Sequence, residues 1–366
     1  MTDRERFCKV MEFQQVDRVP NYELGLWSQT IENWWKQGLP EDVLYFSWFE
    51  KEPYFHIDKR QFARINIDMI PSFKYEVLEE DERTITARHS DGTITKSLKT
   101  DVSMDQYLSF PVTDRKSFNE IKKRYNPSSP IRYPLWWDEQ IKMWDIRDYP
   151  VCLLNNASFG LYSQLRRWVG TENISYLFYD EPAFVEEMID FNTNFLLSLV
   201  EKALNEVRFD YFNFFEDFAG KAGPLISPAI FKKFFLPYYK KIIERFKKAG
   251  IKYFWLDSDG NPEVLFPLMI EAGITCNWPL EQAADMNPVA LRKKYGKDLA
   301  FSGGIDKRAL QYGKKEIEKE LYSKIPFMVE SGGYIPTIDH AIPPNISLEN
   351  FTYYLELKTK LCEGKL

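Results

Sequence analysis

The sequence predicts an α/β fold: a closed (β/α)8 barrel of the TIM type, with an N-terminal aromatic-rich cap and an antiparallel hairpin insertion at about residues 73–99. Three observations lead there. Beyond residue 149, apolar strand candidates at 151–155, 209–215, 251–256, 274–277, 299–302 and 326–329 alternate with helical stretches at 182–207, 228–249, 262–272, 287–295 and 313–323, the rhythm of a parallel sheet. Two earlier candidates, 22–27 and 64–71, raise the strand count to eight. A chain of 366 residues with eight such units suits a closed barrel better than an open doubly wound sheet. There is also no GxGxxG or Walker A run, the usual sequence mark of an NAD or ATP site.

Taken in order, residues 3–15 read as a short amphipathic helix with Phe7, Val10 and Met11 on one side. Asp17-Arg-Val-Pro20 then leads into the first strand candidate. The stretch 28–59 carries Trp34, Trp35, Tyr45, Phe46, Trp48, Phe49, Tyr54 and Phe55 with poor periodicity, and reads as a cap over one end of the barrel. Alternating segments broken by Asp91-Gly92 make 73–99 an antiparallel excursion. Helical and irregular sequence, interrupted by Pro127, Pro130 and Pro134, fills 101–147. Residues 1–366 are expected to form one domain.

Composition narrows the function. A formal charge of −6 without a long basic run leaves no nucleic-acid footprint. Cys8, Cys152, Cys276 and Cys362 form no CxxC pair, so neither a disulfide framework nor a cysteine-rich zinc knot is indicated. The N-terminus lacks an apolar signal core and no run is long enough to span a bilayer, so the expected location is cytoplasmic. The 28 Phe, 21 Tyr and 10 Trp can line a broad cavity, or fill a large core.

The strand ends carry the chemistry. The run Tyr253-Phe-Trp-Leu-Asp257-Ser-Asp259-Gly260 is a buried strand that delivers two carboxylates to its C-terminal end. Alternatively, Asp259 and Asn261 merely cap the turn. Other strands end in Asn155-Asn-Ala-Ser-Phe159 followed by Tyr162, in Glu216-Asp217, in Cys276 with Glu281, in Asp306-Lys-Arg308, and in Glu330 with Tyr334 and Asp339-His340. Crowded carboxylates need a divalent metal, a cationic substrate, local bases such as Arg166, Lys307 and Arg308, or shared protons. Each also has a plainer reading: Glu216 and Asp217 as turn caps, Asp306 paired with Arg308, Cys276 as packing. His340 suits proton exchange or metal ligation, and Ser331-Gly-Gly-Tyr334 offers backbone N–H groups to an anion.

The motifs Arg4-Glu-Arg-Phe7, Asp17-Arg-Val-Pro20, Glu216-Asp-Phe-Ala-Gly220, Pro224-Leu-Ile-Ser-Pro228, Asp257-Ser-Asp-Gly260, Pro279-Leu-Glu281, Gly303-Gly-Ile-Asp-Lys307 and Gly332-Gly-Tyr-Ile-Pro336 with Asp339-His340 run in order along nearly the whole chain. On these the chain resembles the uroporphyrinogen decarboxylase (URO-D) superfamily. That superfamily includes the haem-pathway decarboxylase and corrinoid-dependent methyltransferases. The resemblance implies that Tyr162 and His340 correspond to the decarboxylase tyrosine and histidine. The decarboxylase's Arg-Gln-Ala-Gly-Arg clamp is absent, however: Leu24-Gly-Leu-Trp27-Ser-Gln-Thr-Ile-Glu32 stands there without an arginine. The acidic mouth also opposes a substrate with eight carboxylates.

The methyltransferase branch is the nearer one, although Asp257-Ser-Asp-Gly260 replaces its His-x-Cys-Gly and Gly333 replaces a further cysteine. The resemblance then implies methyl transfer from a small methylated or methoxylated molecule to the Co(I) corrinoid (cobalamin) of a small partner protein. A homodimer is also implied. His340, Asp257, Asp259 and Tyr162 are the expected catalytic residues, and Trp27, Asn155, Phe159, Glu216, Asp217, Asp306 and Tyr334 the substrate-facing ones. A zinc ion, if present, falls to Asp257, Asp259, Cys276, Glu281 and His340. A decarboxylase-like lyase acting on a carboxylated substrate, and a non-catalytic paralogue, are the competing expectations.

Overall fold

The computed structural model describes residues 1–44, 52–99, 105–155 and 157–363. Tyr45, Phe46, Trp48 and Phe49 of the expected cap, and Asn156, lie outside the described residues. The strands are β1 (Gln61–Phe62), β2 (Glu76–Glu80), β3 (Thr84–Arg88), β4 (Ile94–Leu98), β5 (Gln106–Ser109), β6 (Val151–Cys152), β7 (Tyr211–Phe215), β8 (Ala219–Gly220), β9 (Gly223–Pro224), β10 (Tyr253–Asp257), β11 (Cys276–Trp278), β12 (Ala300–Ser302) and β13 (Tyr334–Ile335). Seven of them form the central sheet in the order β1-β6-β7-β10-β11-β12-β13, with every pairing parallel.

The sheet is not the closed barrel that the sequence predicts. It is an open half-barrel curving through 190°, with its edges 16 Å apart, flanked by helices. The expected first strand, 22–27, contributes a single parallel bridge, Leu26 to Ile342. Pro343 and Pro344 follow that bridge and have no N–H to extend a ladder. Glu23 is tied instead to the Ile338 N–H (3.0 Å), the Tyr354 hydroxyl (2.6 Å) and Lys358, so its stretch is held by side chains.

A second correction concerns 326–329. This run lies inside the helix Lys314–Ser331, and the last strand is β13. Ile317, Leu321, Ile325 and Met328 are buried at helical spacing, which Pro-Phe-Met-Val alone conceals. The helices Tyr162–Val169, Thr171–Asp180 and Leu348–Cys362 were not anticipated either. The excursion is a four-stranded antiparallel sheet, β2-β3-β4-β5, which includes the expected 73–99 and adds β5.

Strands buried on both faces alternate their side chains between two cores. Phe212, Phe214, Phe254, Leu256 and Phe301 face the outer helices. Tyr211, Tyr253, Trp255, Cys276, Trp278 and Ile335 belong to the second core. There Phe7, from the N-terminal helix Asp3–Met11, packs its ring 5.0 Å from Tyr211 and 5.9 Å from Trp255. Among the described residues no helix is long and apolar enough to cross a membrane.

Candidate functional site

The buried run Tyr-Phe-Trp-Leu-Asp carries β10 to Asp257, registered between Phe215 of β7 and Trp278 of β11. The Ser258 N–H reaches the Trp278 carbonyl (3.1 Å), after which the chain turns away. Gly260 makes that turn at φ +72°, and a Cβ there would lie 2.6 Å from the Gly220 backbone. Its N–H donates to Glu281 Oε2 (2.9 Å), while the Asn261 N–H donates to the Gly220 carbonyl (3.0 Å). Asn261 also accepts from the Glu263 N–H at 3.1 Å, so it caps the turn as the plainer reading has it. Asp259 is half-buried, its side chain 44% exposed, with Oδ2 3.8 Å from His340 Nε2.

Charge around this pair is uneven. Burial, then the carboxylates of Glu281 and Asp217, push Asp259 up to about 7, with Lys307 opposing. Burial and then Lys307 hold His340 below its ordinary value, against the pull of Glu281, Asp339 and Asp217. Near neutrality Asp259 therefore keeps a proton on much of the population while His340 is mostly neutral. Asp339 is itself buried and fixed: its carboxylate accepts from the N–H groups of Gln282 (2.9 Å) and Lys307 (3.2 Å). Burial raises its pKa too. A proton-holding acid, a neutral imidazole and a nearby ammonium can protonate a leaving heteroatom or relay its proton.

The other expected residues fall into three places. Glu281, Asp217 and His340 gather around Asp259, and Asp257 lies at the head of the same strand. Asp306 has turned to Arg308 (2.6 Å), which lowers its pKa despite burial, as the alternative reading has it. Trp27, 38% exposed, caps the helix Ser28–Lys36 and bonds the Ile342 carbonyl, two residues beyond His340, while Asn155 is exposed at the end of the β6 loop.

Glu216, Tyr162, Phe159 and Tyr334 belong to the interior. Glu216 accepts from the Leu161 N–H (2.5 Å), the Ser163 N–H (3.0 Å) and the Tyr239 hydroxyl (2.5 Å), so it latches the start of the helix Tyr162–Val169. Burial, partly offset by those bonds, raises it to about 7. Tyr162 packs against Phe218 and Phe235, Phe159 against Phe212 and Phe214, and the Tyr334 hydroxyl donates to the Gly303 carbonyl (2.7 Å). In the expected anion turn the Gly332 N–H is already bonded to the Val329 carbonyl (3.2 Å), and the Phe13 ring packs against Gly333.

The expected metal centre is not borne out. No group of three or more His, Cys, Asp or Glu among the described residues could hold an ion. Cys276, fully buried among the second core's rings, has its thiol driven well above its usual range by burial. It lies two residues before Trp278, the register partner of Asp257, and so below the mouth. Sequence reasoning weighed Lys307 only as a local positive charge balancing the carboxylates and passed over Asp339 as a site residue. Their position in Gly303-Gly-Ile-Asp-Lys307 and Asp339-His340, each following a strand, was the available signal.

Residues 146–361, more than half of the chain, match the family described as Uroporphyrinogen decarboxylase (URO-D). A uroporphyrinogen decarboxylase of Hordeum vulgare is 24% identical over 135 residues, 36% of this chain and 39% of that protein. A chloroplastic uroporphyrinogen decarboxylase 2 of Oryza sativa subsp. japonica is 23% identical over 135 residues, 36% of this chain and 33% of that protein. The aligned stretch thus spans well under half the length of these relatives. Among solved structures, a methyltransferase from Methanosarcina mazei superposes with a TM-score of 0.60 at 14% identity, covering 98% of both chains, a likeness of fold. On the family match over residues 146–361, and with the sequence motifs in the same order, this chain belongs to the uroporphyrinogen decarboxylase family.

Proposed function

We propose that the protein is a methyltransferase that takes a methyl group from a small methylated or methoxylated molecule and passes it to the corrinoid of a small partner protein. The observation that carries this reading is the Asp259–His340 pair, with a carboxyl held near 7 just beyond the C-terminal end of β10. Removing a methyl group from oxygen or nitrogen leaves a poor leaving group that must gain a proton. Asp259 holds that proton, and Lys307 lies close enough to weaken the new negative charge after transfer. His340, 3.8 Å away, takes a proton from solvent and returns it to the Asp259 carboxylate as the site resets.

The chain's fit to a corrinoid rests on access: both side chains are partly exposed, 44% and 36%, on a half-barrel with an open side. The corrinoid, when presented by its partner, supplies the Co(I) nucleophile. Zinc does not fit the donor set, because Cys276 is packed in the core and no cluster of three ligands forms among the described residues. The acidic surroundings of Asp259 also disfavour a polyanionic tetrapyrrole, which weakens the decarboxylase reading. Incubating the protein with cob(I)alamin and a panel of methoxylated and N-methylated donors tests the proposal. Methylcobalamin should form, and Asp259→Asn should slow it about 100-fold. Decarboxylation of a carboxylated porphyrinogen without any methyl transfer would favour the competing lyase.

A further inference from the structure

Asp217 stands among the charged groups of the site without a tether on its side chain. Its charge is felt by both Asp259 and His340, yet its carboxylate makes no hydrogen bond or ion pair among the described residues. Its place is therefore set by its backbone, and both polar backbone groups are taken by one helix, Tyr162–Val169. The Asp217 N–H donates to Ser163 Oγ (2.9 Å), and the Asp217 carbonyl accepts from the Arg166 guanidinium. Arg166 is fixed in turn, because its Nε donates to Thr171 Oγ1 (3.0 Å) at the start of the next helix. Ser163 is buried, and its own N–H donates to Glu216 Oε2 (3.0 Å). The Glu216 N–H reaches the Asp257 carbonyl (2.7 Å), so residues 216 and 217 are gripped by the helix and by β10, the strand that leads to Asp259.

The charged groups facing Asp259 come from four loops: Asp217 after β7, Glu281 after β11, Lys307 after β12, and Asp339 with His340 after β13. Two of the acids are anchored through their carboxylates, Glu281 by the Gly260 N–H and Asp339 by the N–H groups of Gln282 and Lys307. Asp217 has no such anchor among the described residues. In a half-exposed site the repulsion between two carboxylates weakens quickly as they separate, so what grips the Asp217 backbone also governs the charge that Asp259 meets.

We propose that Ser163 and Arg166 are positioning residues, which hold the Asp217 carboxylate in range of Asp259 by gripping the Asp217 N–H and carbonyl. Neither bonds Asp259 or His340 among the described residues, so both act through Asp217. The inference deepens the reading of Asp259 as proton donor and rests on it for any effect on catalysis. Its readout, the protonation of Asp259, needs no methyl donor.

Carboxyl titration by carbon-13 NMR, with the Asp259 signal assigned from its loss in Asp259→Asn, tests it. Asp217→Asn removes the charge itself and should lower the Asp259 midpoint by about one pH unit. Ser163→Ala, a small and uncharged change, should lower it by a lesser amount. Arg166→Met should lower it too, although loss of a cation would by itself raise it, so the sign separates release of Asp217 from direct electrostatics. Arg166→Lys, which keeps a donor, should stay nearer wild type. In an Asp217→Asn background neither Ser163→Ala nor Arg166→Met should lower the midpoint further. A midpoint that Ser163→Ala leaves at the wild-type value, that Arg166→Met raises, or that falls equally with and without the Asp217 carboxylate would overturn the inference. With a donor that the wild type accepts, the falling limb of methyl transfer should move down in pH with the midpoint. Shifted midpoints without methyl transfer from any donor would support the positioning roles and count against the methyltransferase reading alone.

Discussion

Asp259 shows how one side chain acquires an unusual proton affinity from its neighbours. Burial and two carboxylates favour its protonated form, so the proton is held near pH 7 instead of being lost near 3.8. The sign follows for stability. The folded pKa is raised, so the stabilising contribution is complete below about pH 3.8 and is lost as pH rises through about 7. Asp259→Asn removes that loss, so the variant should melt at a higher temperature than wild type at pH 8, the two converging near pH 4. Calorimetric scans across that range check it, and a wild-type advantage at pH 8 would contradict it. The run Asp257-Ser-Asp-Gly260 was legible because a buried apolar strand ending in acids and glycine has few other uses. Whether Glu216 faced the mouth was not legible. Its direction is set by Tyr239 and the N–H groups of Leu161 and Ser163, 23 to 55 residues away.

At the scale of elements, two joints hold the site in place. The β10 turn needs Gly260, since any Cβ meets the Gly220 backbone and the positive φ strains an L-residue. Gly260→Ala should destabilise by about 1–3 kcal/mol and displace Asp259, seen as a drop in both denaturant midpoint and activity. The second joint is the Glu216 latch beneath the helix Tyr162–Val169. Tyr239→Phe deletes one of its donors in a buried setting and should cost about 1–3 kcal/mol in denaturant unfolding. The alternation of strands and helices after residue 149 was visible from periodicity, and five of its six strands formed within or one residue beyond the expected spans. The sixth failed because four apolar residues read alike in a strand and on a buried helical stripe.

For the whole molecule, closure of the sheet was the feature least written in local pattern. Eight apolar segments suggested a ring, but whether the first segment pairs as a ladder depends on Pro343, Pro344 and the Glu23 contacts, which meet only in three dimensions. The second core is instead completed by the N-terminal helix, whose Phe7 packs among Tyr211, Tyr253 and Trp255. Phe7→Ala should therefore cost about 3–5 kcal/mol, measured as a large fall in melting temperature. Asp259 and His340 lie beyond the C-terminal ends of β10 and β13 with their side chains partly exposed. The most direct test is the rate of cob(I)alamin methylation by wild type and Asp259→Asn across pH 5 to 9, followed by absorbance with a donor that the wild type accepts. The wild-type rate should fall as pH rises through about 7, and the variant should be about 100-fold slower with that limb flattened. Equal rates for the two proteins, or a variant that keeps the wild-type pH profile, would contradict Asp259 as the proton donor.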